Sequence, residues 1–323
     1  MSHFLSVLGT VFIDVKGFAF DNYQAQTKNL GSIQFTHGGV GRNIAENLGR
    51  SGCPTAFVSV LETTGMGPDV ENRLRYSNVH TEFSERLSHG GMGMWMVLLD
   101  EHGELQGSVS QQPDHEHMRN LLKKNGEKIV SSSSHIIAEL DFELDILQPV
   151  FDLAKAQNKP IYGVAANLSV IMKHPDILRE LDCFVCNNFE ADQILGENFS
   201  DYDIAKQEEK LVEFVDKAGL CQMVITLGKN GSVYYDKATG ESGHQNVFPV
   251  NVADSCGAGD AYFSGVVVGL SKGLSLKNAV ICGTKIAGWT IESTESICTD
   301  LSKQIKEDDV LKEILCMEEL ITN

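Results

Sequence analysis

Short apolar runs separated by helical stretches recur along most of this chain, and that rhythm leaves few architectures open. His135–Leu140 (HIIAEL), Pro160–Val164 (PIYGV), Cys183–Cys186 (CFVC) and Met223–Leu227 (MVITL) are brief and largely apolar. Amphipathic stretches near 145–157, 175–181, 190–196 and 205–219 alternate with them. Alternation of this kind argues for a mostly parallel sheet covered by helices. Phe4–Phe12 supplies a first strand with Asp14 following its C-terminal end, Thr55–Val60 another, and Gly231–Tyr235 (GSVYY) a late one. Ile44, Ala45 and Leu48 share one face of a helix that starts near Gly38. The expected class is therefore α/β, in one domain spanning 1–323. Two regions break the rhythm, at about 14–37 and 89–112. The second carries Met94–Leu99 and Leu105–Ser110 around an Asp-Glu-His-Gly turn, a hairpin signal. These regions predict a small separate β-sheet acting as a lid. The stretch Asp308–Ile321 reads as a charged helix.

Composition narrows the function classes. The 323 residues carry a formal charge of −18, which excludes nucleic acid or an anionic membrane as the main partner. No apolar run is long enough to span a bilayer, and Met1–Val7 lacks the flank of a signal peptide. The eight cysteines are scattered, and a chain of this length folds without disulfides, so reduced thiols in a cytoplasm are expected.

The sharpest local pattern is Asp254-Ser255-Cys256-Gly257-Ala258-Gly259-Asp260, running into a helix whose Phe263, Val266, Val267 and Leu270 form an apolar stripe. A glycine turn opening a helix presents free N–H groups and a partial positive charge, which suits an anion. An acid in the first turn is a common helix start, but two acids beside an anion cradle are costly unless one takes a proton or serves a metal. Gly38-Gly39-Val40-Gly41-Arg42-Asn43 is a second glycine turn, against which a polyol or nucleoside can lie while Asn43 donates and accepts hydrogen bonds. Its plainer reading is a strand-to-helix turn. Asp14 suits vicinal hydroxyls. Asn187-Asn188-Phe189-Glu190 offers hard oxygen ligands for Mg2+, or a helix cap with Glu three residues after Asn. Thr226 to Gly231 is a strand followed by a glycine turn fit to pass a nucleotide.

Other patterns carry less. Gly228-Lys229 is followed by Asn230, so no Walker loop is present, and Ile44 breaks a dinucleotide fingerprint. The Cys183/Cys186 pair sits in an apolar strand, His115 and His117 read as solvated, and Glu139, Asp141, Glu143 and Asp145 read as a turn and helix start.

Taken together, the glycine turn near residue 40, the Asn-x-x-Glu and the Gly-Ala-Gly-Asp resemble, in order and spacing, the ribokinase (PfkB) carbohydrate kinases across residues 5–295. The resemblance implies a ribokinase-like three-layer sandwich with a β lid, ATP and Mg2+ as cofactors, a small nucleoside or sugar as substrate, and a homodimer formed through the lid. Stimulation by a monovalent cation occurs in parts of the family and is not legible in Asp254 and Ser255. The resemblance also implies Asp260 as general base, an anion hole from Gly257, Ala258 and Gly259, and ribose contacts from Asp14, Gly39, Gly41 and Asn43, with Arg42 either adding a contact or bracing the loop. Nucleotide contacts fall to Asn187, Thr226, Gly228 and Gly231, and Mg2+, through water, to Glu190 and Asn187. Within the family, Ile33–Leu48 is most similar to the pseudouridine kinases, which makes the 5′-hydroxyl of pseudouridine the expected acceptor. A plain sugar or another nucleoside is the alternative, and a non-catalytic nucleoside sensor a third. Ser255, Cys256, the Glu62–Gly67 loop and Val164, where related kinases often carry Asp, depart from the pattern.

Overall fold

All residues of Phe4–Leu8, Thr55–Val58 and Ile161–Val164 are buried, as strands covered by helices on both faces must be. The structure is a computed structural model and describes residues 3–316. Its main sheet has nine strands in the order β15 (Glu241–Gln245), β14 (Ser232–Asp236), β13 (Gln222–Thr226), β12 (Cys183–Asn187), β11 (Ile161–Val164), β10 (Ser133–Glu139), β1 (Phe4–Leu8), β4 (Thr55–Val58) and β6 (Val79–His80). Neighbours from β13 to β6 are all parallel, and β14 and β15 extend the edge antiparallel. A second sheet orders β3 (Gly31–Gly38), β2 (Phe12–Ala19), β8 (Gly93–Leu99) and β9 (Leu105–Gln111). The short β5 (Val60–Glu62) and β7 (Glu85–Leu87) pair by themselves.

Helices cover the main sheet on both sides. On one face lie α3 (His115–Ser131), α4 (Leu144–Ala156), α5 (Ser169–Lys173), α6 (Asn188–Leu195) and α7 (Ile204–Ala218), around a core of Met118, Phe151, Phe184, Phe199 and Leu211. On the other lie α1 (Val40–Arg50), α2 (Gly67–Tyr76), α8 (Ala258–Ser271) and α9 (Leu276–Ile291), around Ile44, Phe57, Leu74, Phe263 and Val280. α10 (Leu301–Glu307) and α11 (Asp309–Cys316) add an outer layer through Leu301, Leu311 and Ile314. The rest of the C-terminal helical stretch, 317–321, lies outside the described residues. This is the three-layer α/β sandwich that the resemblance implied, around the mostly parallel sheet that the alternation predicted.

Several boundaries differ from the sequence reading. Phe4–Phe12 is not one strand. It breaks at Gly9–Val11, where the chain leaves the main sheet, and β2 carries Asp14 into the second sheet. Thr55–Val60 likewise divides, because Ser59 ends the pairing to β1 and Val60 turns to β7. The stretch near 175–181 is a 3₁₀ turn behind a proline.

The order of the main sheet fixes where a ligand goes. From β1 the chain proceeds to β4 and β6 on one side, then returns to β10 on the other. In parallel sheets such a reversal opens a crevice outside the C-terminal strand ends.

Candidate active site

A cleft of about 790 Å3 occupies that crevice. Its floor comes from strand ends: Thr10 after β1, Glu139 closing β10, Asp141 just beyond, and Asn167 after β11. Its roof is the second sheet. Thr36, Asp14, Trp95 and Ser110 are register partners across the four strands and all line the cleft, with Lys16 two residues along β2. The starts of α1 and α8 bring Asn43 and Asp260 to the same space.

Asp260 lies in the first turn of α8. Gly257 caps that helix at φ 77°, and a Cβ there would stand 2.0 Å from the Ser296 carbonyl oxygen. Only glycine permits this turn. It leaves the first amides of α8 without helical partners at the positive end of the dipole. The Asn43 amide donates to Asp260 Oδ2 at 2.6 Å. Burial raises the Asp260 carboxyl to about 7, with Glu190 adding to the rise and Asn43 and the Arg42 charge opposing it. A carboxylate tuned to neutrality by desolvation is suited to accept a proton near physiological pH.

The other sequence-derived residues divide into those at the cleft and those placed elsewhere. Asp14 and Gly39 line it. Burial pushes the Asp14 carboxyl up, against Lys16 and Arg42. Gly39 has φ 96°, and a side chain would strike the Thr10 carbonyl. Gly41 gives its amide to Glu139 at 3.1 Å instead of to the cleft. Arg42, expected at the substrate or as a brace for its loop, is turned inward. Its guanidinium is wholly buried, bonds Glu46 at 2.5 Å and caps the carbonyls of His37 and Gly38. Those partners hold it because α1 starts immediately after β3, so that side chain points back along the turn.

Asn187 and Glu190 form a full capping box at the start of α6, each side chain accepting the other's backbone N–H at 2.9 Å. The second Glu190 oxygen has no such bond among the described residues. Thr226, Gly228 and Gly231 lie beyond the cleft lining, on a shoulder at the end of β13, with Thr226 in register with Asn187. The Tyr262 hydroxyl donates to Ser232 at 2.7 Å and ties that shoulder to α8.

Three cleft residues were discounted on sequence. Glu139 is buried and accepts from the Thr10 amide at 2.7 Å, the Thr10 hydroxyl at 2.9 Å and the Gly41 amide. Burial and neighbouring Asp141 raise its carboxyl against those donors. Asp141 holds the loop after β11 through Asn167 at 2.5 Å. His115 is half-buried at the cleft, its ring against Phe142, and burial lowers its basicity. The available signal was position: an acid closing one apolar strand, beside the strand where the order reverses.

A model described as the pfkB family of carbohydrate kinases matches residues 2–302. A guanosine-inosine kinase of Exiguobacterium acetylicum is 33% identical over 90% of this chain and 95% of its own length. A pseudouridine kinase of Escherichia coli K12 is 27% identical over 81% of this chain and 82% of its own. The solved Arabidopsis thaliana ribokinase, complexed with ribose and ATP, superposes with a TM-score of 0.80 at 18% identity, over 95% of this chain and all of that one.

Proposed function

Since the chain belongs to the pfkB family and is a phosphotransferase, we propose that it transfers the γ-phosphoryl group of ATP to the 5′-hydroxyl of a ribonucleoside. The observation that carries this is Asp260: a carboxyl near neutral pKa, at a glycine-capped helix N-terminus, inside a cleft lined by hydroxyl-binding groups.

The residues divide the work as follows. Asp14, Asn43 and the Gly39 backbone hold the ribose hydroxyls. Asp260 takes the proton of the 5′-hydroxyl as that oxygen bonds to the γ-phosphorus and the bond to the β-phosphate breaks, leaving ADP. The amides of Gly257, Ala258 and Gly259 meet the charge on the phosphoryl oxygens. Asn187, Thr226, Gly228 and Gly231 border the nucleotide. No three His, Cys, Asp or Glu side chains converge into a metal cage among the described residues. Glu190, with one carboxylate oxygen free of the cap, and Asn187 would hold Mg2+ through water. Bound there, the ion would neutralise phosphate charge. Trp95 in the roof covers the cleft against water, which competes for the phosphoryl group.

Among ribonucleosides, a purine is the first choice, supported by the 33% relative and its near-complete coverage. Pseudouridine is the second, supported by the Gly-Gly-Val-Gly-Arg-Asn-Ile-Ala turn and the 27% relative. We assay ADP release with Mg2+ over guanosine, inosine, pseudouridine, uridine, ribose and fructose. Turnover confined to guanosine and inosine is expected. Turnover with pseudouridine alone reverses the order, and turnover with sugars alone removes the nucleoside assignment. Binding of nucleosides without any turnover supports the sensor.

A homodimer through the roof is part of the same reading. Ile33, Met94, Met96, Leu98 and Val109 alternate with the cleft-facing row and are all substantially exposed. An apolar face of that extent is suited to a second copy.

A further inference from the structure

Among the described residues Arg42 and Glu46 are the most deeply buried charges, both 0% exposed, and neither lines the cleft. Glu46 also receives Arg50 at 3.2 Å, Arg73 at 3.0 Å and the Ser77 hydroxyl at 3.0 Å. Arg73 in turn holds Glu295 at 2.8 Å, which ties α1 and α2 to the loop after α9. That loop is the one whose Ser296 carbonyl lies against Gly257.

A directed chain of donors leaves this cluster. Arg42 Nη2 donates to Ser296 Oγ at 3.5 Å, Ser296 Oγ to Asn43 Oδ1 at 3.3 Å, and Asn43 Nδ2 to Asp260 Oδ2 at 2.6 Å. An amide has one donor end and one acceptor end, and its rotation is fixed by whatever occupies each. Ser296 needs an acceptor because Arg42 already donates to it. It therefore claims Asn43 Oδ1 and leaves Nδ2 for Asp260.

We propose that Arg42 is a positioning residue of the reaction: through Ser296 it fixes which end of the Asn43 amide faces Asp260, and its buried charge keeps that carboxylate in its reactive form. The proposal rests on Asp260 being the base. The groups that act on Asp260 are Arg42 and Asn43 on α1 and Glu190 on α6. Lys16 and Asp14 on β2 and Asp254 face Cys256 in the loop before α8, where Asp260 also acts. Arg42 is the cation that bears on Asp260 among the described residues.

The test is the pH dependence of kcat and kcat/KM in the wild type, Arg42→Met, Arg42→Lys and Ser296→Ala. Arg42→Met is expected to move the acid limb up by about one unit and lower kcat about fivefold at pH 7, where the base goes from half to mostly protonated. Arg42→Lys keeps the limb, because the charge stays, but lowers kcat, because the three donors of one ammonium cannot serve Glu46, two carbonyls and Ser296 together. Ser296→Ala lowers kcat several-fold with the KM for ATP unchanged. A wild type without an acid limb near 7 removes the Asp260 assignment itself. A wild-type limb that stays put in Arg42→Met, or a Ser296→Ala kcat equal to wild type, overturns the positioning role. Where Arg42→Met does not fold, Ser296→Ala decides.

Discussion

Asp260 combines two requirements that oppose each other in water. It must be ionised to accept a proton and basic enough to want one. Burial raises it to about 7, while the Asn43 bond and the Arg42 charge stop the rise there. Because only the ionised form accepts a proton, kcat/KM is expected to fall as pH drops through about 7. Asp260→Asn should lower kcat by about 10³-fold, erase the acid limb and leave nucleotide affinity near wild type; rate profiles and calorimetry check both. A near-normal rate would remove Asp260 as base. This residue was legible in the sequence because its signal is local: a glycine turn, an acid and an apolar stripe within a few residues. Glu139 was not. Its contact to Thr10 spans 129 residues, and only the sheet order brings the two together. Arg42 was visible, but whether it meets the substrate or braces its loop was not, since its side-chain direction depends on where β3 stops and α1 begins.

At the scale of elements, α8 matters through its first turn. The left-handed Gly257 presses on the Ser296 carbonyl, so the anion-binding turn and the loop after α9 fit only together. Gly257→Ala is expected to cost about 2 kcal/mol or more in chemical unfolding and to lower kcat with it; wild-type stability and rate would show that the turn tolerates a side chain. The strands of the main sheet could be read because runs buried on both faces are distinctive. The break at Gly9–Val11 could not, since Phe4–Phe12 is apolar throughout its length except for two small polar residues. Periodicity does not record which of two sheets an apolar residue joins. The Asn187–Glu190 pair shows the reverse case. Its spacing suited either a metal or a cap, and here the cap is formed.

At the scale of the molecule, the −18 charge bears on assembly. Two such chains repel at distance, so the roof-to-roof dimer proposed above should tighten as salt screens that repulsion. Sedimentation at 20 and 300 mM NaCl is expected to show a larger dimer fraction at the higher salt, and Met96→Lys a monomer at both. A monomeric wild type at both would discard the dimer. The mostly parallel sheet covered by helices was legible from the alternation of strands and helices, and so was the separate small sheet, from the two regions that interrupt it. The route between them was not. Only three residues, Gly9 to Val11, join β1 to β2, and the Thr10 amide in their middle is gripped by Glu139. Floor and roof are thus one lever with its fulcrum in the binding site: whatever bends the roof over a captured molecule also pulls on the carboxylate beneath it.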